Sequence, residues 1–260
     1  MLAAELPGAG VVVTGAGSGI GAALARRFAA EGARVVVNDI DAAAASGVAA
    51  ETGGIAVAAD AASEEGVARL VSLAREAIGE IDLFCANAGV ARGGGEHAPE
   101  ADWDLSWQVN VMAHVRAARL LTGPWLARGR GHMIATVSAA GLLSMLGAAP
   151  YSVTKHAALG FAEWMSATYS HRGITVQALC PQGVRTPMLE ATGEVGKLIL
   201  ADSAIEPDKV AACVIGALDD GRFLILPHPD VARMYAGRAA DTDRWLAGMN
   251  KIQRRLDSLA

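Results

Sequence analysis

Short apolar runs alternate with longer amphipathic stretches through most of this chain. Val11-Val12-Val13 has the length and β-branching of a buried strand, and a helical pattern follows from about Ser18 to Glu31. Arg34 to Asn38 predicts a second strand, and Asp41 stands where it can cap an alanine-rich helix reaching about Thr52. Ile55 to Ala59 predicts a third strand. Ser63-Glu64-Glu65-Gly66 then offers an N-cap and an acidic first turn for the next helix. Further on, the pattern predicts a strand over Ile81–Ala86, one long helix over Glu100–Arg128 and a strand over His132–Val137. A helix from about Tyr151 to Arg172 and strands at Ile174–Leu179 and Phe223–Leu226 complete the series. Strands apolar on both faces, separated by helices, imply a doubly wound α/β fold with a mainly parallel seven-stranded sheet. No linker or repeat divides it. Residues 1–260 are expected to form one domain, with 228–260 a helical C-terminal extension.

Composition narrows the function classes. The net charge of −5 and the few aromatic residues offer no basic stacking platform, so no nucleic-acid partner is expected. Cys85, Cys180 and Cys213 are far apart and lack the spacing of a zinc site; they read as free thiols in a reducing compartment, and no metal is expected. The start, MLAAELPGAG, lacks the basic n-region and apolar core of a signal peptide. The most apolar stretch, Ala139–Pro150, is too short to span a bilayer. A cytoplasmic protein without membrane contact is expected.

The first strand runs into Thr14-Gly15-Ala16-Gly17-Ser18-Gly19-Ile20-Gly21 and then a helix. Glycines there permit a tight turn and close backbone approach to a pyrophosphate, while the helix N-terminus supplies free N–H groups. A glycine-rich turn alone is weak evidence of this, because any tight strand-to-helix connection favours glycine. The aligned pattern is G-x-x-x-G-x-G through Gly15, Gly19 and Gly21, not the commoner G-x-G-x-x-G. Asp39 strengthens the Rossmann-like reading, since it ends the second strand 18 residues beyond Gly21. A carboxylate there accepts hydrogen bonds from the adenosine ribose and repels a 2′-phosphate. Arg26 and Arg27 lie inside the helix, and neither Ser18 nor Asn38 is replaced by a basic residue. NAD is therefore favoured over NADP.

Tyr151-Ser152-Val153-Thr154-Lys155 puts a tyrosine and a lysine on one helix face. A free phenol titrates near pH 10, and lowering it by roughly three units needs about 4 kcal/mol. An ammonium about 4 Å away supplies a term of that size at an effective dielectric of about 20. Lys155 is thus expected to lower the Tyr151 pKa enough for proton transfer, with an oxidised nicotinamide ring adding positive charge. Such a pair is common on helices, where the lysine often just packs over the ring.

Thr14-Gly15-x-x-x-Gly19-x-Gly21, Asn87-Ala88-Gly89, Ser138 and Tyr151-x-x-x-Lys155 occur in order, each in a matching context. Together they resemble the single-domain branch of the short-chain dehydrogenase/reductase family, over residues from about 8 to 226. The resemblance implies that Ser138, 13 residues before Tyr151, holds the substrate oxygen while Tyr151 moves the hydroxyl proton. Lys155 would tune the tyrosine and bind the nicotinamide ribose, and Asn110 would order a water leading away from Lys155. Asp60, with Ala61 beside it, matches the family's contact to the adenine; capping a loop is its other role. Asn87, Ala88 and Gly89 would pack beside the cofactor together with Gly17, Ser18 and Ile20 of the glycine loop. Pro181-Gln182-Gly183-Val184-Arg185-Thr186 resembles the family's Pro-Gly-x-Val-x-Thr segment, with Thr186 at the carboxamide and Val184 at the ring. Gln182 departs from the usual glycine and either reshapes the backbone or presents an amide to substrate.

The activity expected is hydride transfer between NAD(H) and a largely apolar alcohol or ketone. Ser138, Ala140, Tyr151, Gln182 and Met188 are the candidate substrate contacts, with the stretch Met188–Ile205, including Leu198 and Ile199, as a lid. Core packing is the equal alternative for each apolar residue. Arg92 and Arg185 stay open as anchors for an acidic substrate. Two other classes compete: an NADPH-dependent ketoreductase, opposed by Asp39, and a non-catalytic dinucleotide-binding regulator, opposed by the full Ser-Tyr-Lys-Asn set. Trp245, Leu246, Met249, Ile252, Leu256 and Leu259 form a helical stripe in the tail, suited to the domain surface, a sister subunit, a membrane surface or the active-site mouth. The resemblance implies a homodimer or homotetramer.

Overall fold

Seven strands form one parallel sheet in the order β3-β2-β1-β4-β5-β6-β7 in the computed structural model, which describes residues 1–192, 200 and 202–258. These are β1 (Gly10–Thr14), β2 (Arg34–Asp39), β3 (Ile55–Ala58), β4 (Leu83–Ala86), β5 (Gly131–Thr136), β6 (Ile174–Leu179) and β7 (Leu224–Ile225). Alternation along β1 sends Val11 and Val13 to one face and Val12 to the other, so each face builds its own core. One core holds Leu24 and Phe28 of α1 (Gly19–Ala30), Ala45 of α2 (Ala42–Thr52), and Val210 and Val214. The other holds Leu70 and Ala74 of α3 (Glu64–Ile78), and Leu121, Trp125 and Leu159. Asp41 and Ser63 cap α2 and α3 as the sequence implies, accepting hydrogen bonds from Ala43 and Ala44 and from Gly66.

The strand order reverses direction between β1 and β4. In such sheets the crevice beyond the carboxyl ends of these two strands is the ligand site.

The long helix predicted over 100–128 is not regular. It consists of α4 (Glu100–Trp107), a π-helical turn over Gln108–Met112, and α5 (Ala113–Arg128). The catalytic helix also differs from its expected span, because Pro150 fits the first turn, where its missing N–H costs nothing. As α7 it runs Ala149–Tyr169, after a single short turn α6 (Ala140–Leu143), and a 3-10 turn over Ser170–Arg172 finishes it. After β6 come α8 (Pro187–Glu190) and α9 (Pro207–Asp220), and the tail folds as a helical hairpin, α10 (Pro229–Ala240) and α11 (Thr242–Asp257). Leu198, Ile199 and Leu259 lie outside the described residues. No helix among the described residues is long and apolar enough to cross a membrane.

Candidate active site

The loop after β1 is shaped by what glycine lacks. Gly15 has φ +61°, and a Cβ there would lie 2.8 Å from the Ala88 Cα. At Gly21 a Cβ would meet the Gly15 carbonyl oxygen at 2.1 Å, so helix α1 can start against its own loop only with glycine at that place. Ser18 caps α1 without a side-chain hydrogen bond, which leaves the first N–H groups of the helix facing the crevice. Asp39 closes the far side. Its Oδ2 accepts from the Gly17 N–H at 2.9 Å and its Oδ1 from the Asp41 N–H at 3.0 Å. Each oxygen keeps a further lone pair for an incoming hydroxyl. Asp60 lines the same cavity and also accepts the Ala62 N–H at 2.9 Å, so the loop-cap role is real. A glycine cradle, uncapped helix amides and a carboxylate at the ribose position fit a dinucleotide.

Thr14 joins the two strands at the switch point. Its Oγ1 accepts from the backbone N–H groups of Asn87 and Ala88, each at 3.0 Å. The Asn87 amide donates to the Thr14 carbonyl at 3.0 Å and accepts from the Thr136 hydroxyl at 3.0 Å. Asn87 thus fastens β1, β4 and β5 together at the cavity floor.

Ser138, Tyr151 and Lys155 converge at the other end of this cavity of about 680 Å³. Ser138 sits just past β5 with φ 88°, a backbone state that a non-glycine residue adopts only under constraint. Its Oγ donates to the Pro181 carbonyl at 3.4 Å and accepts from the Ala140 N–H at 3.2 Å, and it pulls the Tyr151 phenol downward. Lys155 is buried. Its Nζ donates to the Thr136 carbonyl at 2.8 Å and lies 5.6 Å from the Tyr151 ring centroid. Burial holds the ammonium down at about 8 against a weaker upward pull from Cys180.

The expected effect of Lys155 on the phenol is corrected here. Burial raises the Tyr151 pKa above its ordinary value, and only the Ser138 hydrogen bond opposes it. Lys155 gives one of its three N–H donors to the Thr136 carbonyl of β5, and it is burial of the phenol that keeps it protonated.

Two predicted site residues stand behind the cavity rather than on its wall: Gly17, under Asp39, and Asn110. The Asn110 amide is used up by the protein, accepting the Val90 N–H at 2.9 Å and donating to the Val90 carbonyl at 3.0 Å and the Thr154 hydroxyl at 3.1 Å. It acts as a positioning residue that ties the π-helical turn to α7, one residue from Lys155. Gly89 lets this happen, since a Cβ there would lie 3.2 Å from the Asn110 Oδ1 and 3.4 Å from the Lys155 Nζ. The remaining predicted residues line the cavity, including Gly15, Ser18, Gly19, Ile20, Ala61, Ala140, Pro181, Gln182, Val184, Thr186 and Met188. Arg92 and Arg185 do not; they pair with Asp102 at 3.4 Å and Glu206 at 3.0 Å.

Comparison with known proteins bears on this arrangement. The short chain dehydrogenase family model matches residues 9–195. The chain belongs to the short-chain dehydrogenase family. It is 38% identical over 229 residues to 1-deoxy-11-beta-hydroxypentalenate dehydrogenase of Streptomyces exfoliatus, covering 84% of this chain and 82% of that one. It is 36% identical over 194 residues to 2,5-dichloro-2,5-cyclohexadiene-1,4-diol dehydrogenase of Sphingobium indicum, covering 72% and 76%. A short-chain dehydrogenase/reductase from Burkholderia phymatum, solved in complex with NAD, superposes with a TM-score of 0.83 at 28% identity, covering 92% of this chain and 95% of that one. The protein is therefore an oxidoreductase.

Three features of this short-chain dehydrogenase are decided only by the folded chain. His228, at the foot of the tail, accepts the Gln182 N–H at Nδ1 (3.1 Å) and reaches the Gly183 and Ser203 carbonyls with Nε2 at 3.1 and 3.2 Å. The proton therefore sits on Nε2, and the ring pins the backbone where Gln182 replaces glycine. His114 is fully buried, with neither ring nitrogen bonded to the protein, and burial and the Lys155 charge hold it down at about 3. The tail hairpin contributes Met234 and Trp245 to the active-site cavity. Nothing local in the sequence marks the two histidines, and the apolar stripe of the tail left four places open, because each outcome depends on contacts between distant segments.

Proposed function

We propose that this enzyme transfers a hydride between NAD(H) and an apolar secondary alcohol or ketone, with Tyr151 moving the hydroxyl proton. The observation that carries the reading is one cavity joining the Ser138, Tyr151 and Lys155 side chains to Asp39. The bound dinucleotide supplies the hydride acceptor or donor. Gly15, Ser18, Gly19, Ile20 and Gly21 would hold its pyrophosphate, Asp39 its adenosine ribose, Asp60 and Ala61 its adenine. Asn87, Ala88, Gly89, Pro181, Val184 and Thr186 would flank the nicotinamide half, with Lys155 at its ribose. Ser138 Oγ holds the substrate oxygen, and Tyr151 Oη takes its proton in oxidation and returns it in reduction. Because burial raises the phenol, reduction starts from a protonated acid ready to donate, and oxidation needs added positive charge beside the ring. Ala140, Gln182 and Met188 would contact the substrate. A turnover screen over secondary alcohols and ketones with both coenzymes tests the reading; no turnover with any of them refutes it.

Asp39 carries the choice of coenzyme, and the NAD held by the Burkholderia phymatum relative supports it. A carboxylate already bonded to Gly17 and Asp41 cannot swing away from a 2′-phosphate without losing both bonds. Wild type is expected to bind NADH at least about a hundredfold more tightly than NADPH, equivalent to about 2.7 kcal/mol. Asp39→Ala should narrow that gap from both sides. Calorimetric titration of both coenzymes decides it, and equal affinity in wild type removes Asp39 from the ribose.

Assembly is also part of the proposal. Trp107 on α4 and Val153 and Trp164 on α7 are 42%, 48% and 56% exposed, which leaves apolar surface on both helices. A dimer or tetramer built on these faces is expected. Light scattering at micromolar concentration that finds only a 26.6 kDa species overturns it.

A further inference from the structure

The chain leaves β7 through Pro227-His228-Pro229. A proline after His228 turns that residue away from the helical region, and it takes φ −109° and ψ 110° at the head of α10. The Cys180 N–H donates to the Ile225 carbonyl at 2.9 Å, so the ends of β6 and β7 lie side by side. The buried His228 ring therefore falls against the loop that follows β6, the loop that carries Gln182, Val184 and Thr186 to the cavity.

One peptide group of this loop is held from both edges. The Pro181–Gln182 peptide donates its N–H to His228 Nδ1 at 3.1 Å. Its carbonyl accepts from the Ala139 N–H at 2.8 Å and from the Ser138 hydroxyl at 3.4 Å. A peptide is planar and stiff, so whatever fixes the N–H also aims the carbonyl. The Gly183 carbonyl accepts from His228 Nε2 and from the Ile205 N–H, each at 3.1 Å. His228 thus lines no part of the cavity itself, yet it sets the carbonyl on which the Ser138 hydroxyl leans and the backbone that leads into Val184 and Thr186. At 3.4 Å the serine is loosely held, and its hydroxyl can still turn to a substrate oxygen. A carbonyl swung closer would compete with the substrate for that hydroxyl.

We propose that His228 is a positioning residue for hydride transfer, fixing the Ser138 hydroxyl through the Pro181–Gln182 peptide and the stretch Val184–Thr186 through Gly183. This rests on the hydride-transfer reading above. Without the ring, the Gln182 N–H loses its acceptor, and an amide without a partner draws its whole peptide toward another one. Ser138 and the loop then shift relative to Tyr151, and a misplacement of about 1 Å costs up to about 10²-fold in rate. Asp39 and the glycine loop lie at the other end of the cavity and share no hydrogen bond with His228. Coenzyme affinity is therefore expected to survive where the reacting geometry does not.

Two amide variants separate the two ring nitrogens. Counted along the side chain, an asparagine Oδ1 stands where Nδ1 stands, and a glutamine Nε2 stands where the ring Nε2 stands. His228→Asn therefore keeps an acceptor for the Gln182 N–H, and His228→Gln loses it. The test measures single-turnover reduction of NAD by the secondary alcohol that wild type oxidises fastest, with and without deuterium on its carbinol carbon, together with fluorescence titration of NADH. His228→Gln should slow hydride transfer at least about tenfold and raise the isotope effect on kcat, with the NADH Kd within about threefold of wild type. His228→Asn should recover the rate to within about threefold of wild type. Equal losses in the two variants overturn the proposal, because a ring that only fills space is missed alike in both. A His228→Gln rate within about twofold of wild type overturns it as well, and so does a loss of NADH affinity as large as the loss of rate. In these cases a wild type that oxidises the alcohol keeps the active-site reading and gives up only the positioning role. If wild type binds NADH yet oxidises no alcohol, the active-site reading fails and this inference falls with it.

Discussion

Tyr151→Phe is expected to lower turnover of any alcohol or ketone by about 10²- to 10⁴-fold, the range supplied by one positioned general acid or base. Coenzyme affinity should stay nearly unchanged. Phenylalanine keeps the ring against which Lys155 packs at 5.6 Å and removes only the phenolic oxygen. Among the described residues lining the cavity, no other phenol is present to take over. Lys155→Ala should behave differently, weakening coenzyme binding as well as turnover, because its ammonium also anchors the cavity floor through the Thr136 carbonyl. Stopped-flow single turnover and coenzyme fluorescence titration separate the two effects. Full activity in Tyr151→Phe would leave the proton with another group and end the mechanism.

Acid should destabilise the fold steeply, and two buried histidines are the reason. His114 and His132 are both held down at about 3, His114 by burial and the Lys155 charge, His132 mainly by burial. A depressed histidine favours the folded state above its unfolded value of 6.5, and that stability is lost as pH falls toward 3. In the interval the unfolded chain binds a proton that the native site refuses. Each histidine then costs about 1.4 kcal/mol per pH unit. By pH 4.5 the two together remove about 5 kcal/mol, comparable to the entire stability of a marginal domain. Urea denaturation at pH 7, 6, 5 and 4.5 measures the slope. His114→Leu should reduce it by about 1.4 kcal/mol per pH unit, and an unaltered slope in that variant rejects the assignment.

His132 and His114 also illustrate what a sequence conceals. Nothing around His114 distinguishes it from a surface histidine, and the strand predicted from His132 does not say what its ring meets. His132 is buried because β5 lies between β4 and β6, and its Nε2 meets Gln177 at 2.9 Å, 45 positions along the chain. By contrast, the caps at Asp41 and Ser63 bond to residues two or three positions away, so the pattern announces them. The glycine loop is legible for the same reason. Its turn, its helix start and the strand before it are all short-range features, and Asp39 follows from the length of one helix and one strand.

The active site divides along this line. Tyr151 and Lys155 share a helix face by periodicity alone, and Ser138 ends a strand that its own apolar run defines. The electrostatics of the pair is a tertiary matter. The sequence suggests an ammonium that lowers the phenol, whereas the folded chain buries the phenol, which raises it. The bonds that Asn110 makes to Val90 and Thr154 are likewise tertiary, spanning 20 and 44 residues.

Sequence by itself determined the seven strands, the parallel winding, the glycine-rich turn after β1 and the place of Asp39 at the end of β2, because hydrophobic period and turn chemistry act within a few residues. Only the tertiary structure decided the π-helical turn at Gln108–Met112, the His228 clasp on Gln182 and the closing of the cavity by the tail. The turn is tied by a bond spanning 44 residues from Asn110 to Thr154, the clasp by one spanning 46 from Gln182 to His228, and the tail by one spanning 96 from Leu142 to Arg238. A partner that far along the chain leaves no periodic trace beside either residue, and it is chosen only when the packed sheet and helices bring the two ends together.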